Sequence, residues 1–355
     1  MKIAIIGAGP AGVYCALALK NSGIKNIDIF EKSAPLKTLL PTGGGRCNLT
    51  HAGDNIKDFA KNYPRGEKFL YSLFSKHFVK DTLEFFKNIG INTYMQQDYR
   101  YFPASNSASD MRNKMLKALG NINIIEKNIT TLKELKGYDF IVLAAGSRGG
   151  YGLAREAGHN IIPPKPALCG LKLSQDSPGY PQGVVLNTPE GEVLFTKGGI
   201  SGPLVYKISS LNAYKDFPYE IKLPLIDPEI LTIEVKNNPR KSFLNTVSKF
   251  IPKSLAGAIL SGSEKQCANV SKKEIAALSN ITFKVISPDN KGEIVTAGGV
   301  DLKEIDNFCR SKINPKLFII GELMDIDGFC GGYNLQNCWS SAYCAALKIR
   351  ELSDT

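Results

Sequence analysis

The chain has 355 residues, 43% of them hydrophobic and 22% charged, with 44 Lys and Arg against 33 Asp and Glu for a formal net charge of +11. That length exceeds what one core usually supports, so two or three domains of an ordinary soluble globular protein are expected. No segment approaches 18 uninterrupted apolar residues, so no membrane span is expected.

The positive charge raises nucleic acid as a partner. The basic residues are scattered, however, with no block longer than Arg240-Lys241 or Lys272-Lys273. The excess is read first as solvated surface and as attraction to an anionic cofactor or substrate, with RNA the less favoured partner. Eight cysteines (Cys15, Cys47, Cys169, Cys267, Cys309, Cys330, Cys338, Cys344) include no C-x-x-C pair. With His51, His77 and His159 they make no zinc spacing, so no metal site is expected. The apolar N-terminus carries one Lys, is broken by three glycines and lacks an A-x-A site, which reads as strand, turn and helix rather than a signal peptide. A cytoplasmic, reducing location is expected, where such thiols are small buried apolar groups.

Lys2 to Ile6 is a short β-branched run, as in a strand buried on both faces. Gly7, Gly9 and Gly12 follow in G-x-G-x-x-G spacing, and an apolar helical pattern through Val13, Ala16, Leu17 and Leu19 comes after them. A second strand, Ile27 to Phe30, ends on Glu31, 24 positions after Gly7. Gly7 permits a tight turn, Gly9 lets main chain approach a pyrophosphate, and Gly12 lets helix and strand pack closely. The helix start offers N–H groups and positive potential to phosphates, and Glu31 is an acceptor for ribose hydroxyls.

Next comes SAPLKTLLPTGGGRCNLTH, in which Gly43, Gly44 and Gly45 bare the backbone and Arg46 adds a planar cation. Residues 55–90 read as helices closed by Gly90, NTYMQQDYRYFPAS as a hairpin, and SASDMRNKMLKAL as a helix capped by Ser107 or Ser109. NINIIEKNITTL and YDFIVLAAG read as strands, the second ending at Ala145-Gly146. Residues 161–225 alternate in short apolar runs broken by Pro and Gly, the pattern of an all-β domain. Residues 227–280 are mostly helical, with PEILTIEVK ambiguous, before ITFKVI and GEIVTAGGV return as strands. Leu317 to Ile320 is a buried-strand run ending at Gly321-Glu322, and Gly331-Gly332-Tyr333-Asn334 opens a last helix, Leu335 to Arg350.

The two chain ends thus read as halves of one nucleotide site. A single fingerprint, with a ligand-facing pattern repeated at the C-terminal end, suits the extended cofactor FAD, its ring near Gly331 to Leu335. GAGPAG (7–12), TGGGRCNLT (42–50), YRYFPAS (99–105), LFTKGGISGP (194–203), TAGGV (296–300) and GELMDIDGFCGGYNLQ (321–336) together resemble one family. It is the family of FAD-dependent oxidoreductases that includes aminoacetone oxidase-like proteins and a bile-acid enone reductase, and the likeness runs from residue 1 to about 348.

The resemblance implies an α/β protein with a Rossmann-like FAD-binding domain from both chain ends (1–160 and 299–355). It also implies an inserted β-barrel domain (161–226 and 281–298) and a small helical domain (227–280). By position, Gly7, Gly9 and Gly12 with Ala8, Pro10 and Ala11 would hold the pyrophosphate, and Glu31 with Lys32 the adenosine ribose. Gly44, Gly45, Arg46, Cys47 and Asn48 would lie beside the cofactor, and Ile129 would touch adenine through its backbone. Ala145-Gly146 would pass the cofactor, Gly321-Glu322 would meet the ribityl–phosphate stem, and Gly332, Asn334 and Leu335 the ring. Lys197 stands where the family commonly has His, YRYFP replaces its G-R-x-F-P, and the loop after Gly146 is short. FAD is expected to be non-covalent, a tether through His51 being disfavoured, with NAD(P)H open as a transient donor. Arg100 and Lys197 are candidate anchors for a small metabolite, and Tyr333 or Tyr99 a candidate proton donor. The expected activity is amine oxidation or enone reduction, against an RNA-associated flavoprotein or a flavin-binding protein without turnover.

Overall fold

The computed structural model describes residues 1–147, 149–174, 180–188, 190–260, 265–289 and 294–354. Gly292 and Glu293 of the expected strand GEIVTAGGV, Ser261 at the end of PKSLAGAILS, and Arg148 of the short loop lie outside the described residues. The chain divides into two compact units, Met1–Lys165 with Thr296–Thr355, and Pro166–Val295.

In the first unit the run at the N-terminus forms strand Ile3–Ile6, all four residues buried. It lies between parallel strands Ile27–Glu31 and Phe140–Leu143, in register Ile3 to Ile27 and Ile3 to Phe140. Leu317–Ile319 extends the sheet beyond Phe140–Leu143, and Asn123–Glu126 extends it beyond Ile27–Glu31. N-terminal and C-terminal sequence therefore share one parallel sheet. Helix Pro10–Asn21, with Pro at its first position, packs along the last helix, Tyr333–Ser353. The expected hairpin forms from Thr93–Met95 and Arg100–Pro103, and Thr50–His51 pairs with the other edge of Arg100–Pro103 as a third strand. Ser107, rather than Ser109, caps helix Ala108–Leu119 by accepting from the Asp110 N–H at 3.1 Å.

In the second unit six antiparallel strands run in the order Val185–Thr188, Gly191–Thr196, Gly199–Ser201, Gly170–Leu173, Asn280–Asp289, Tyr219–Pro224. That order is open among the described residues. The helical segment shares the sheet's core, Leu231, Val235, Phe243, Val247 and Leu255 packing with Leu171, Phe195, Leu223 and Phe283. The ambiguous PEILTIEVK is helix Pro228–Asn237: Asp227 accepts from the Glu229 and Ile230 N–H groups, and this cap with Pro228 at the first position outweighs the β-branched residues.

Candidate active site

The glycine turn leaves different amounts of room at its three positions. Gly7 holds φ +105°, where a Cβ would strike the Ala144 carbonyl oxygen at 2.5 Å. Gly9 is open, the nearest atom to its missing Cβ being Thr38 Oγ1 at 4.0 Å. Gly12 meets the Gly7 main chain directly. Pro10 and Ala11 then lead the helix, its first N–H groups without intrahelical partners. Glu31 ends its strand beneath this turn: Oε2 accepts from Ala8 N at 2.7 Å and Oε1 from Ser33 N at 2.9 Å. A pocket beside it is lined by Gly7, Glu31, Lys32, Lys127, Ile129 and Ala145 among others. The sequence-predicted adenosine residues thus converge.

The second cluster forms where the loop after Pro41 meets the last helix. Gly43, Gly44 and Gly45 all have positive φ, and missing Cβ atoms on Gly44 and Gly45 would meet nothing within 4 Å. Arg46 stacks on Phe102 at 4.3 Å and donates Nε to Gly43 O at 3.3 Å, with no carboxylate partner among the described residues. Cys47 is buried at φ +63°, and burial pushes its thiol up to about 12, so it packs rather than reacts. Asn48 is buried and its Oδ1 has no hydrogen-bond partner among the described residues. That oxygen lies 2.9 Å from where a Cβ on Gly332 would stand, and Thr50 main chain lies at 2.6 Å. The two motifs are thus pressed together, main chain to main chain.

The two clusters are joined. Gly321, at φ +68°, faces Ala11, whose Cβ would be 2.9 Å from a Cβ on Gly321. Ser341 Oγ accepts from Gly321 N at 3.0 Å, fixing the strand end to the last helix. Glu322 Oε1 accepts from Thr296 N at 3.2 Å, and Thr296 Oγ1 reaches Ser147 Oγ at 3.1 Å beside Gly146. Leu335 packs partly buried against the core. Asn334 differs from expectation in how it serves. Its Oδ1 accepts from Gly328 N at 2.8 Å and its Nδ2 donates to Gly328 O at 2.7 Å, so the side chain clamps its own loop.

Among the candidate catalytic residues, Tyr333 opens the last helix, 7% exposed, its phenol pushed up to about 12 by burial. The His51 ring stacks on it, 5.1 Å between centroids and 13° from parallel. Arg100 lies opposite His51 in the ladder and pairs with Asp98, while Tyr99 stands exposed at φ +62°. Lys197 belongs to the second unit, on the exposed turn between Gly191–Thr196 and Gly199–Ser201.

Several supporting residues carried no signal of their own in the sequence. Gln336 accepts from Thr50 Oγ1 at 2.7 Å and donates to Thr82 Oγ1 and Ser340 Oγ, and Trp339 Nε1 donates to Leu49 O. This buried polar network holds strand Thr50–His51 to the last helix. Arg65 makes a two-pronged ion pair with the fully buried Asp327. Beside it burial pushes the Asp325 carboxyl up, against the pull of Arg65.

Residues 1–348 match the model of the HI0933-like protein Rossmann domain. The chain is 27% identical to a 3-dehydro-bile acid delta(4,6)-reductase of Clostridium scindens, over 99% of each chain. It is 28% identical to a ribosomal RNA dihydrouridine synthase of Escherichia coli, over 97% of each. In fold it is similar to an E. coli quinol fumarate reductase, with a TM-score of 0.53, 14% identity and coverage of 100% of this chain and 70% of that one. No helix among the described residues is long and apolar enough to cross a membrane. The parallel sheet built from both chain ends, its glycine turn and the match over nearly the whole length place this chain in the HI0933-like family of Rossmann-domain flavoprotein oxidoreductases.

Proposed function

We propose that this flavoprotein reduces a carbon–carbon double bond conjugated to a carbonyl on a small metabolite. FAD would be held non-covalently between the two clusters, with NAD(P)H as transient electron donor. The carrying observation for the cofactor is the union of two glycine-lined openings through Gly321 and Ala11. For the reaction it is the end-to-end likeness to a reductase named for its enone-type bonds.

The residues present fit the group. Gly9, Gly44 and Gly45 leave open ground where a pyrophosphate and a ring edge need main-chain approach, and Asn48 Oδ1 is a buried acceptor awaiting a donor. Glu31 Oε1 accepts from both the N–H and the hydroxyl of Ser33, whereas Oε2 takes one main-chain N–H and keeps a lone pair for a ribose hydroxyl. Bound there, FAD supplies the hydride chemistry. The start of Tyr333–Ser353 offers positive potential to an electron-rich ring. Arg46, lacking a carboxylate partner among the described residues, is a fixed cation for the same region. Arg100 is the proposed anchor for a substrate carbonyl or carboxylate: an exposed pair such as Arg100–Asp98 contributes under about 1 kcal/mol and exchanges readily.

The test is spectral. Purified protein should release FAD on denaturation and bleach anaerobically with NADH or NADPH. It should then regain colour when an enone such as cyclohex-2-enone or a 3-keto-4-ene steroid is added. Bleaching by aminoacetone with no recovery on enones would move the reading to amine oxidation, and protein without FAD would end both.

A second reading, reduction of a uracil ring in RNA, has the +11 charge and the dihydrouridine synthase relative in its favour. Uracil carries the same kind of conjugated bond. A two-mass-unit gain in RNA incubated with reduced protein would support it, and binding that vanishes at modest salt without product would oppose it.

A further inference from the structure

We propose that His51 is the proton donor of this reduction, an inference that rests on the reading above. His51 Nδ1 lies 2.9 Å from the Ala52 carbonyl oxygen. A carbonyl only accepts, so Nδ1 carries the proton and Nε2 is left as the working nitrogen. Among the described residues Nε2 takes no hydrogen-bond partner. The ring is held flat on Tyr333 at the start of the last helix. Its Cδ2, the carbon bonded to Nε2, lies 3.5 Å from where a Cβ on Gly331 would stand. The free edge of the imidazole therefore borders the Gly331-Gly332 turn, and glycine at 331 leaves that edge uncovered.

The alternatives nearby serve less well. The buried Tyr333 phenol holds its proton tightly. His77 is bonded to Tyr14 in the core, and His159 sits between Glu304 and Ser311. The titratable and charged groups around His51 are Tyr333 beneath it, Tyr99 at 6.5 Å, Arg100 across the ladder and Cys330 before Gly331. No carboxylate pairs with His51 among the described residues.

Saturating the double bond adds one hydride and one proton. The hydride forms a C–H bond at the β carbon and the π pair moves toward the carbonyl. The Nε2 proton then forms the second C–H bond at the α carbon. His51 is left neutral, still donating Nδ1–H to Ala52, and solvent restores the Nε2 proton before the next turnover.

With three histidines in the chain, 15N spectra of the FAD-loaded protein resolve His51. Its neutral form should be the Nδ1–H tautomer, and its Nε2 signal should shift when cyclohex-2-enone is added to the oxidised protein. In a second measurement, dithionite-reduced protein is reoxidised by the same enone at a series of pH values. The wild-type rate should fall as pH rises. His51→Gln and His51→Asn, retaining the flavin spectrum, should be about 100- to 10,000-fold slower without that fall. Variants with the wild-type rate and profile, or a neutral Nε2–H tautomer, would overturn the assignment alone. A wild-type protein that no enone reoxidises would overturn the reductase reading and this assignment together.

Discussion

A Cβ on Gly12 would lie 1.9 Å from the carbonyl oxygen of Gly7, while one on Gly9 would find nothing nearer than 4.0 Å. Two glycines three residues apart therefore do opposite work, one closing the fold and the other leaving room beside it. Gly12→Ala should destabilise the protein by more than about 3 kcal/mol, the upper range for an overpacked core, as read by chemical denaturation. Gly9→Ala should leave stability within about 0.5 kcal/mol. It should weaken FAD binding at least tenfold, about 1.4 kcal/mol, by fluorescence titration. Equal effects of the two substitutions on stability would contradict this division.

Asp327→Asn takes one carboxylate away from the Arg65 guanidinium in a buried setting. Removing one member of such a pair costs about 3–5 kcal/mol. The expected outcome is a loss of that size in urea unfolding for Asp327→Asn. Arg65→Met with Asp327→Leu should recover part of it, since an apolar pair removes the stranded charge.

His77 predicts a pH dependence. Burial lowers its pKa from 6.5 to about 4, so the folded state stays neutral where the unfolded chain takes a proton. Its contribution is fully present above about pH 6.5 and is lost as pH falls toward 4, up to about 3 kcal/mol. Unfolding free energies measured between pH 7 and 4.5 should fall more steeply for wild type than for His77→Gln. Parallel slopes would remove His77 from the account.

Asn334→Asp keeps the acceptor for Gly328 N but loses the donor to Gly328 O and adds a carboxylate facing that carbonyl. A loss of about 1–3 kcal/mol is expected. FAD retention should fall with it, because the 325–332 loop carries Gly331 and Gly332. Asn334→Ala should cost stability similarly without the added negative charge, so comparing retained FAD in the two separates loop order from electrostatics.

The parallel sheet was legible because a doubly buried strand, a glycine turn and a terminal acid constrain one another within thirty residues. The same holds for the last helix, announced by Gly331-Gly332 and an apolar strand before it. Asn334 illustrates the limit: position pointed to the ring, whereas its amide closes on Gly328, a pairing set by loop geometry that spacing does not encode. Gln336 and the Arg65–Asp327 pair were silent because each joins residues more than 250 positions apart. His51 stood in a recognised motif, yet the stack that gives it meaning comes from Tyr333 at the other end of the chain.

Strands Ile161–Ala167 and Val295–Val300 are hydrogen-bonded neighbours in a two-stranded ladder. The chain therefore departs from its nucleotide half and comes back to it through adjoining doorways. Pro166–Val295 is therefore carried as one insertion between two neighbouring strands.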